Sequence, residues 1–116
     1  MNKFISSGRL TKEPMLSYVG DKNTALTKFS IAVNRERDKD KADFFNVTVW
    51  GKQAESCANY LVKGQSVIVD GRVEIDEKDG KYYTNVIADR VEFGAKPGGQ
   101  ASNSGSGDDD FDSVPF

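Results

Sequence analysis

Seven consecutive residues, Phe44-Phe-Asn-Val-Thr-Val-Trp50, carry two unlike faces. Side chains of an extended chain point alternately to opposite sides. Phe45, Val47 and Val49 therefore form an ordinary apolar face, while Phe44, Asn46, Thr48 and Trp50 form the other. A core face would not carry Asn and Thr between aromatics, and a plain solvent face would not carry Phe and Trp. Aromatic rings exposed among small polar groups suit stacking on unpaired bases, worth roughly 1–3 kcal/mol per base. Every base has a π-face, so such contacts are sequence-independent. The competing reading packs Phe44 and Trp50 against a loop or a partner subunit.

Basic residues occur where a phosphate backbone could follow that aromatic face. Lys52 follows Trp50-Gly51, Arg35 and Arg37 close the preceding strand pattern, and Lys63 closes a helical one. Lys3, Arg9 and Arg72 lie on strand patterns. Each alone reads as a solvated charge; with the aromatics they read as a groove for a single strand. Paired carboxylates in an apolar setting, a Ser/His/Asp set and a phosphate-cradling glycine loop are all missing, so no enzyme is expected. With no histidine and one cysteine, no metal site or cofactor is expected either.

A second chemical feature is the ending Asp108-Asp-Asp-Phe-Asp-Ser-Val-Pro-Phe116, after the Gly/Ser-rich run Pro97–Gly107. Asp108, Asp109, Asp110 and Asp112 surround an apolar tip of Phe111, Val114, Pro115 and Phe116. An acidic end tipped with large apolar groups and set beyond a flexible linker reads as a peptide ligand for other proteins. A solubilising acidic tail is the alternative, but four charges would suffice for that without the Val-Pro-Phe ending.

The 116 residues leave room for one small domain and a tail. All 16 Lys and Arg fall in residues 1–96 with 14 of the 18 acids, so that part is +2 and the remainder −4. Opposite signs on body and tail imply that they attract each other and that an anionic ligand competes with the tail. A lone cysteine, Cys57, excludes an internal disulfide, fits a reducing compartment and reads as a small buried side chain. Neither an apolar leader nor a long apolar run is present, so a cytoplasmic protein is expected.

These residues need a scaffold, and the pattern supplies short strands with one helix. Asn2–Leu10 alternates loosely, with Phe4 and Gly8 on one parity and Ile5 and Leu10 near the other. Met15–Val19 is a second extended piece. Leu26–Arg35 sends Phe29, Ile31 and Val33 one way; Asp43–Gly51 is the next strand; the charged stretch Glu36–Ala42 between them is a loop. Gln53–Val62 has Ala54, Cys57, Ala58 and Leu61 at helical spacing, with Gly64 as the stop. Ser66–Ile75 and Tyr82–Phe93 are long strands joined through Asp76–Gly80, where Asp79-Gly80 is a hairpin signal. Five principal strands with a helix between the third and fourth is the element order of an all-β OB-fold barrel.

Taken together, Asn2-Lys-Phe-Ile, Gly8-Arg-Leu-Thr-Lys-Glu-Pro14, Phe29-Ser-Ile-Ala-Val33, Phe44–Lys52, Tyr60-Leu-Val-Lys-Gly64, Val69-Asp-Gly-Arg72 and Val114-Pro-Phe116 resemble the bacterial single-stranded DNA-binding protein family. The resemblance covers residues 2–93 and the tail. It implies an OB fold over residues 1–96, usually a homotetramer, coating single-stranded DNA in replication, recombination and repair. It also implies a nucleoid-associated location and, beyond a linker at 97–107, a tail at 108–116 that docks replication and repair proteins. By position, Phe44 and Trp50 match the family's stacking aromatics. Lys52, Tyr60 and Lys63 match strand-contacting positions, and Lys3 a basic residue of the first strand. Asn46 stands where some members have arginine, and Arg37 where some have a stacking tryptophan. The hairpin Glu74–Asp79 is acidic and short where many members have a longer, basic and aromatic one, which implies weaker binding or a smaller site. Asp112-Ser113-Val114 replaces the usual unbroken aspartates and isoleucine.

Overall fold

The computed structural model describes residues 1–97. It contains β1 (Phe4–Leu10), β2 (Met15–Val19), β3 (Thr24–Asn34), β4 (Ala42–Trp50), α1 (Lys52–Tyr60), β5 (Ser66–Lys78) and β6 (Lys81–Phe93). The strands hydrogen-bond in the order β1-β5-β6-β4-β3-β2, and β1 pairs a second time with β3. That extra pairing, Arg9 with Ala32 and Leu10 with Ile31, closes β1, β5, β6, β4 and β3 into a ring. Closure removes the unpaired edges that an open sheet would expose. Only β4 and β6 run parallel. The short β2 lies outside the ring on the flank of β3, so the helix falls between the third and fourth barrel strands, as the element order predicts.

Alternation fills the barrel. Ile31, Val47, Val49, Val69 and Val86 are completely buried, and Phe29, Leu10, Val67 and Val91 pack with them. At one end Phe4 meets Phe45 edge-on, with ring centroids 5.1 Å apart. One grouping from the sequence is corrected here. Leu10 faces inward with Phe4 and Gly8, whereas Ile5 is 64% exposed. Residues 4, 8 and 10 share a parity, and β1 keeps strict alternation because it pairs along its length with β5.

Strand β5 must bend to close the ring, and it does so at an irregularity between Asp70 and Gly71. A Cβ at Gly71 would overlap the Ile87 carbonyl oxygen, so only glycine allows β6 to approach there. Nine residues are too few for a helix to persist alone in water. The barrel holds α1 by burying Ala54, Cys57 and the following Leu61, and the Thr27 hydroxyl donates to the Ala54 carbonyl at 2.7 Å. The helix stops at Tyr60, with Leu61 extended beyond it. Gly64, read from the sequence as its stop, instead takes φ +85° in the next turn, where the Gln65 amide donates to the Val62 carbonyl.

The last hairpin is longer than the sequence suggests. Residues 76–78 and 81, read as connection, are paired strand, and only Asp79 and Gly80 make the turn. Both have positive φ, 54° and 79°, as a two-residue hairpin turn demands. Every residue from 74 to 84 is exposed, so this part of the hairpin leaves the barrel as a two-stranded ribbon.

Candidate nucleic-acid interface

The outward side chains of β4 meet those of its neighbours in register. Thr48 lies opposite Lys28 of β3 and Ile87 of β6; Asn46 lies opposite Ser30 and Asn85. The next strand over continues both rows, with Arg72 opposite Ile87 and Glu74 opposite Asn85. These rows form the floor of an open groove of about 660 Å³. Trp50, Leu26 and Met15 supply apolar surface at one end, Lys12 and Glu13 one rim, and Asp76 the other. Trp50 is 45% exposed and Phe44, at the far end of the same strand face, 68%. Their inward neighbours Val47 and Val49 are fully buried, so the two-faced reading of β4 holds residue by residue. Large rings left accessible among Asn, Ser and Thr offer flat apolar surface to a flat ligand.

Of the residues singled out from the sequence, Asn46, Thr48, Trp50 and Arg72 line this groove together. Lys52 stands exposed just past Trp50 at the start of α1, and Tyr60, 60% exposed, at its end. The backbone N–H of Lys63 donates to the Glu13 carboxylate at 2.9 Å, which ties the turn after the helix to the groove rim. Arg9, outward on β1, donates to the Gly64 carbonyl at 3.2 Å beside that turn. Lys3, Arg35, Arg37 and Phe44 lie outside the groove lining, as do Arg9, Lys52, Tyr60 and Lys63 around it.

Ion pairing divides the cations. Lys3 is bound to Asp70, whose hydrogen bond raises the lysine's pKa. Arg35 forks onto Asp43 through Nε and Nη2, which raises the arginine's pKa and holds the Asp43 carboxyl below its usual range. Arg72 contacts Glu74 at 3.0 Å and Asp89 at 3.8 Å. Among the described residues Arg9, Lys12, Lys28, Arg37, Lys52 and Lys63 have no ion-pair partner. An unpaired cation can meet an anion without first surrendering a carboxylate, which distinguishes these six from Lys3, Arg35 and Arg72.

Lys12, Met15, Lys28, Asn85 and Ile87 belong to the groove and were not among the sequence-derived site residues. Lys28 has an outward parity that is legible in the sequence, but its partnership with Thr48 depends on strand register. Cys57 is fully buried and burial pushes its thiol up to about 11, which leaves a packing role. Among the described residues no group of three or more His, Cys, Asp or Glu is placed to hold a metal ion, and no helix is long and apolar enough to cross a membrane. Apart from Pro97, the linker lies outside the described residues, as do the docking residues Asp108 to Phe116.

Residues 1–94 match the single-strand binding protein family, which covers the whole barrel and hairpin. The chain belongs to that family. It is 43% identical to the single-stranded DNA-binding protein of Clostridium tetani in an alignment covering all of this chain and 85% of that protein. It is 48% identical to single-stranded DNA-binding protein 2 of Clostridium acetobutylicum, covering 80% of this chain and 76% of the relative. A crystal structure of a deletion mutant of the Thermus aquaticus single-stranded DNA binding protein superimposes with a TM-score of 0.70 at 30% identity. That match covers 86% of this chain and 44% of the Thermus chain. An SSB domain from Synechococcus, 21% identical with a TM-score of 0.68, shares the fold. Membership of a family of binding proteins agrees with the expectation that the chain is not an enzyme.

Proposed function

We propose that this chain binds and protects single-stranded DNA in replication, recombination and repair. The observation that carries the reading is the outward face of β4, where Asn46, Thr48 and Trp50 line an open groove and Phe44 stands exposed on the same face just outside that lining. Rings stack on the bases, the amide and hydroxyl groups meet their edges, and Lys12, Lys28, Lys52 and Lys63 follow the phosphates. A duplex hides its base faces and cannot make these contacts. Tyr60, Arg9 and Arg37 are further contacts on the rim, and Lys3, Arg35 and Arg72 act after exchanging a carboxylate for a phosphate.

The same reading gives the chain three segments: a binding domain over residues 1–96, a linker over 97–107, and a docking tail over 108–116 that recruits replication and repair proteins. It works as a homotetramer in the cytoplasm, associated with the nucleoid. Support for self-association comes from the outer face of β1. There Ile5 is exposed and, with Ile68 and Val33, borders a shallow depression of about 510 Å³ that Ser6, Ser7, Asn34 and Glu36 also line. A competition titration among poly(dT), poly(U) and duplex DNA, read through the fluorescence of Trp50, tests the function. Poly(dT) is expected to win; preference for poly(U) would indicate an RNA-binding module, and no response to either would overturn the groove.

A further inference from the structure

A row of outward side chains crosses five strands in register. Arg72 of β5 lies opposite Ile87 of β6, Ile87 opposite Thr48 of β4, Thr48 opposite Lys28 of β3, and Lys28 opposite Met15 of β2. All five line the groove. Met15 ends the row on the outermost strand and is 74% exposed. In the adjoining row Ser17 lies opposite Leu26, and Leu26 opposite Trp50. The thioether of Met15 therefore stands on the Trp50 side and completes the apolar end of the groove.

The other sulfur atoms are sheltered or lie elsewhere. The chain has two methionines and one cysteine, all among the described residues. Cys57 is fully buried and burial pushes its thiol up to about 11, which leaves little thiolate to react. Met1 is exposed but does not line the groove. Met15 alone is both open to solvent and part of the groove. A thioether needs no deprotonation to react. A hydroperoxide transfers one oxygen atom to it: the O–O bond breaks, an S–O bond forms, sulfur gives up two electrons, and the peroxide leaves as water or an alcohol. The product is a polar, chiral sulfoxide in place of a flexible apolar group. Resting on the single-strand reading above, we propose that Met15 is an oxidation site through which hydroperoxides weaken the groove's hold on single-stranded DNA. The sulfoxide oxygen holds water where a base or sugar would otherwise cover apolar surface beside Trp50. The effect is graded, because stacking on Trp50 and the charges of Lys28 and Arg72 remain. It is also reversible, since methionine sulfoxide reductases return the thioether.

Treating the full chain with hydrogen peroxide and locating the added oxygen by peptide mass spectrometry tests the site. Anisotropy titrations with labelled oligo(dT) then compare each protein with itself before and after treatment. The native chain is expected to carry sulfoxide at Met15 and to lose about two- to fivefold in affinity, the scale of one small apolar contact. Reductases acting on both sulfoxide epimers should restore the starting value. Met15→Leu keeps an apolar side chain without the sulfur. Its own affinity, whatever the starting value, should not respond to peroxide, although Met1, Trp50 and Cys57 are still present. An equal loss in Met15→Leu would place the sensitive group elsewhere and overturn the assignment. So would a native chain oxidised at Met15 that binds as tightly as before, or sulfoxide at Met1 with Met15 intact. Failure of the untreated chain to bind oligo(dT) would overturn the single-strand reading itself, a distinguishable result.

Discussion

Trp50 and Phe44 sit at opposite ends of one strand face, separated by Asn46 and Thr48, and this spacing makes their contributions separable. Trp50 is the only tryptophan, so its emission reports occupancy of the groove directly. Saturating oligo(dT) should quench it, and Trp50→Ala or Phe44→Ala should each weaken binding by about 1–3 kcal/mol. Unchanged emission at saturation would place Trp50 off the path. The cations make a sharper test because ion pairing divides them. Replacing Lys28 or Lys63 with Ala should weaken binding to every sequence and reduce the salt slope by roughly 0.7 for each phosphate left without its cation. Arg35→Ala should change that slope less, since its guanidinium is already forked onto Asp43. A larger loss at Arg35 than at Lys28 would reroute the backbone toward the β3–β4 connection.

Among the elements, β5 carries the most distinct duties. Its first half lies in the barrel, its bend at Gly71 lets β6 pass, and its second half leaves the barrel as one strand of a ribbon. Gly71→Ala forces a methyl group onto the Ile87 carbonyl oxygen unless the strands part. A loss of about 1–3 kcal/mol in urea unfolding is expected, as for other overpacked sites. Since Arg72 and Ile87 border that point, oligonucleotide affinity should fall with it. Full stability in the alanine variant would show that the bend does not depend on glycine. In the ribbon, period-two alternation separates Glu74 and Asp76 from Glu77, three acids of the one acidic hairpin. Only the first two line the groove. The ribbon also carries Tyr82 and Tyr83, both exposed, so it is less purely acidic than the run Glu74–Asp79 suggests.

On the scale of the whole molecule, the charge asymmetry sets body against tail. Residues 1–96 carry +2 and the rest −4. Removing residues 108–116 should therefore raise affinity for single-stranded DNA, most strongly at low ionic strength. The competition is electrostatic and screened beyond about 10 Å at 0.1 M salt. An affinity independent of the tail at low salt would show that it does not visit the groove. Deleting Phe116 alone should leave DNA affinity nearly unchanged, because no charged side chain is removed, and should abolish capture of partner proteins. Retention of every partner in that pull-down would rule out a terminal-peptide mechanism.

The parity of β3 and β4, the presence of the helix and the hairpin turn were legible from local chemistry, whereas the parity of β1 and the helix end were not. Alternation in Phe44–Trp50 marked the outward face because a side chain's face depends only on its position along the strand. Asp79-Gly80 marked the turn because few residue pairs tolerate two positive φ angles. Element order suggested a barrel, yet closure waited on the pairing of Arg9 with Ala32 and Leu10 with Ile31, residues more than twenty positions apart. The groove likewise draws on side chains from β3, β4, β5 and β6, and register alone sets Lys28 beside Thr48 and Glu74 beside Asn85. Local sequence determined which residues could face a nucleic acid. Only the tertiary structure decided which of them share one groove, and which cations are already held by a carboxylate, because both depend on contacts between strands.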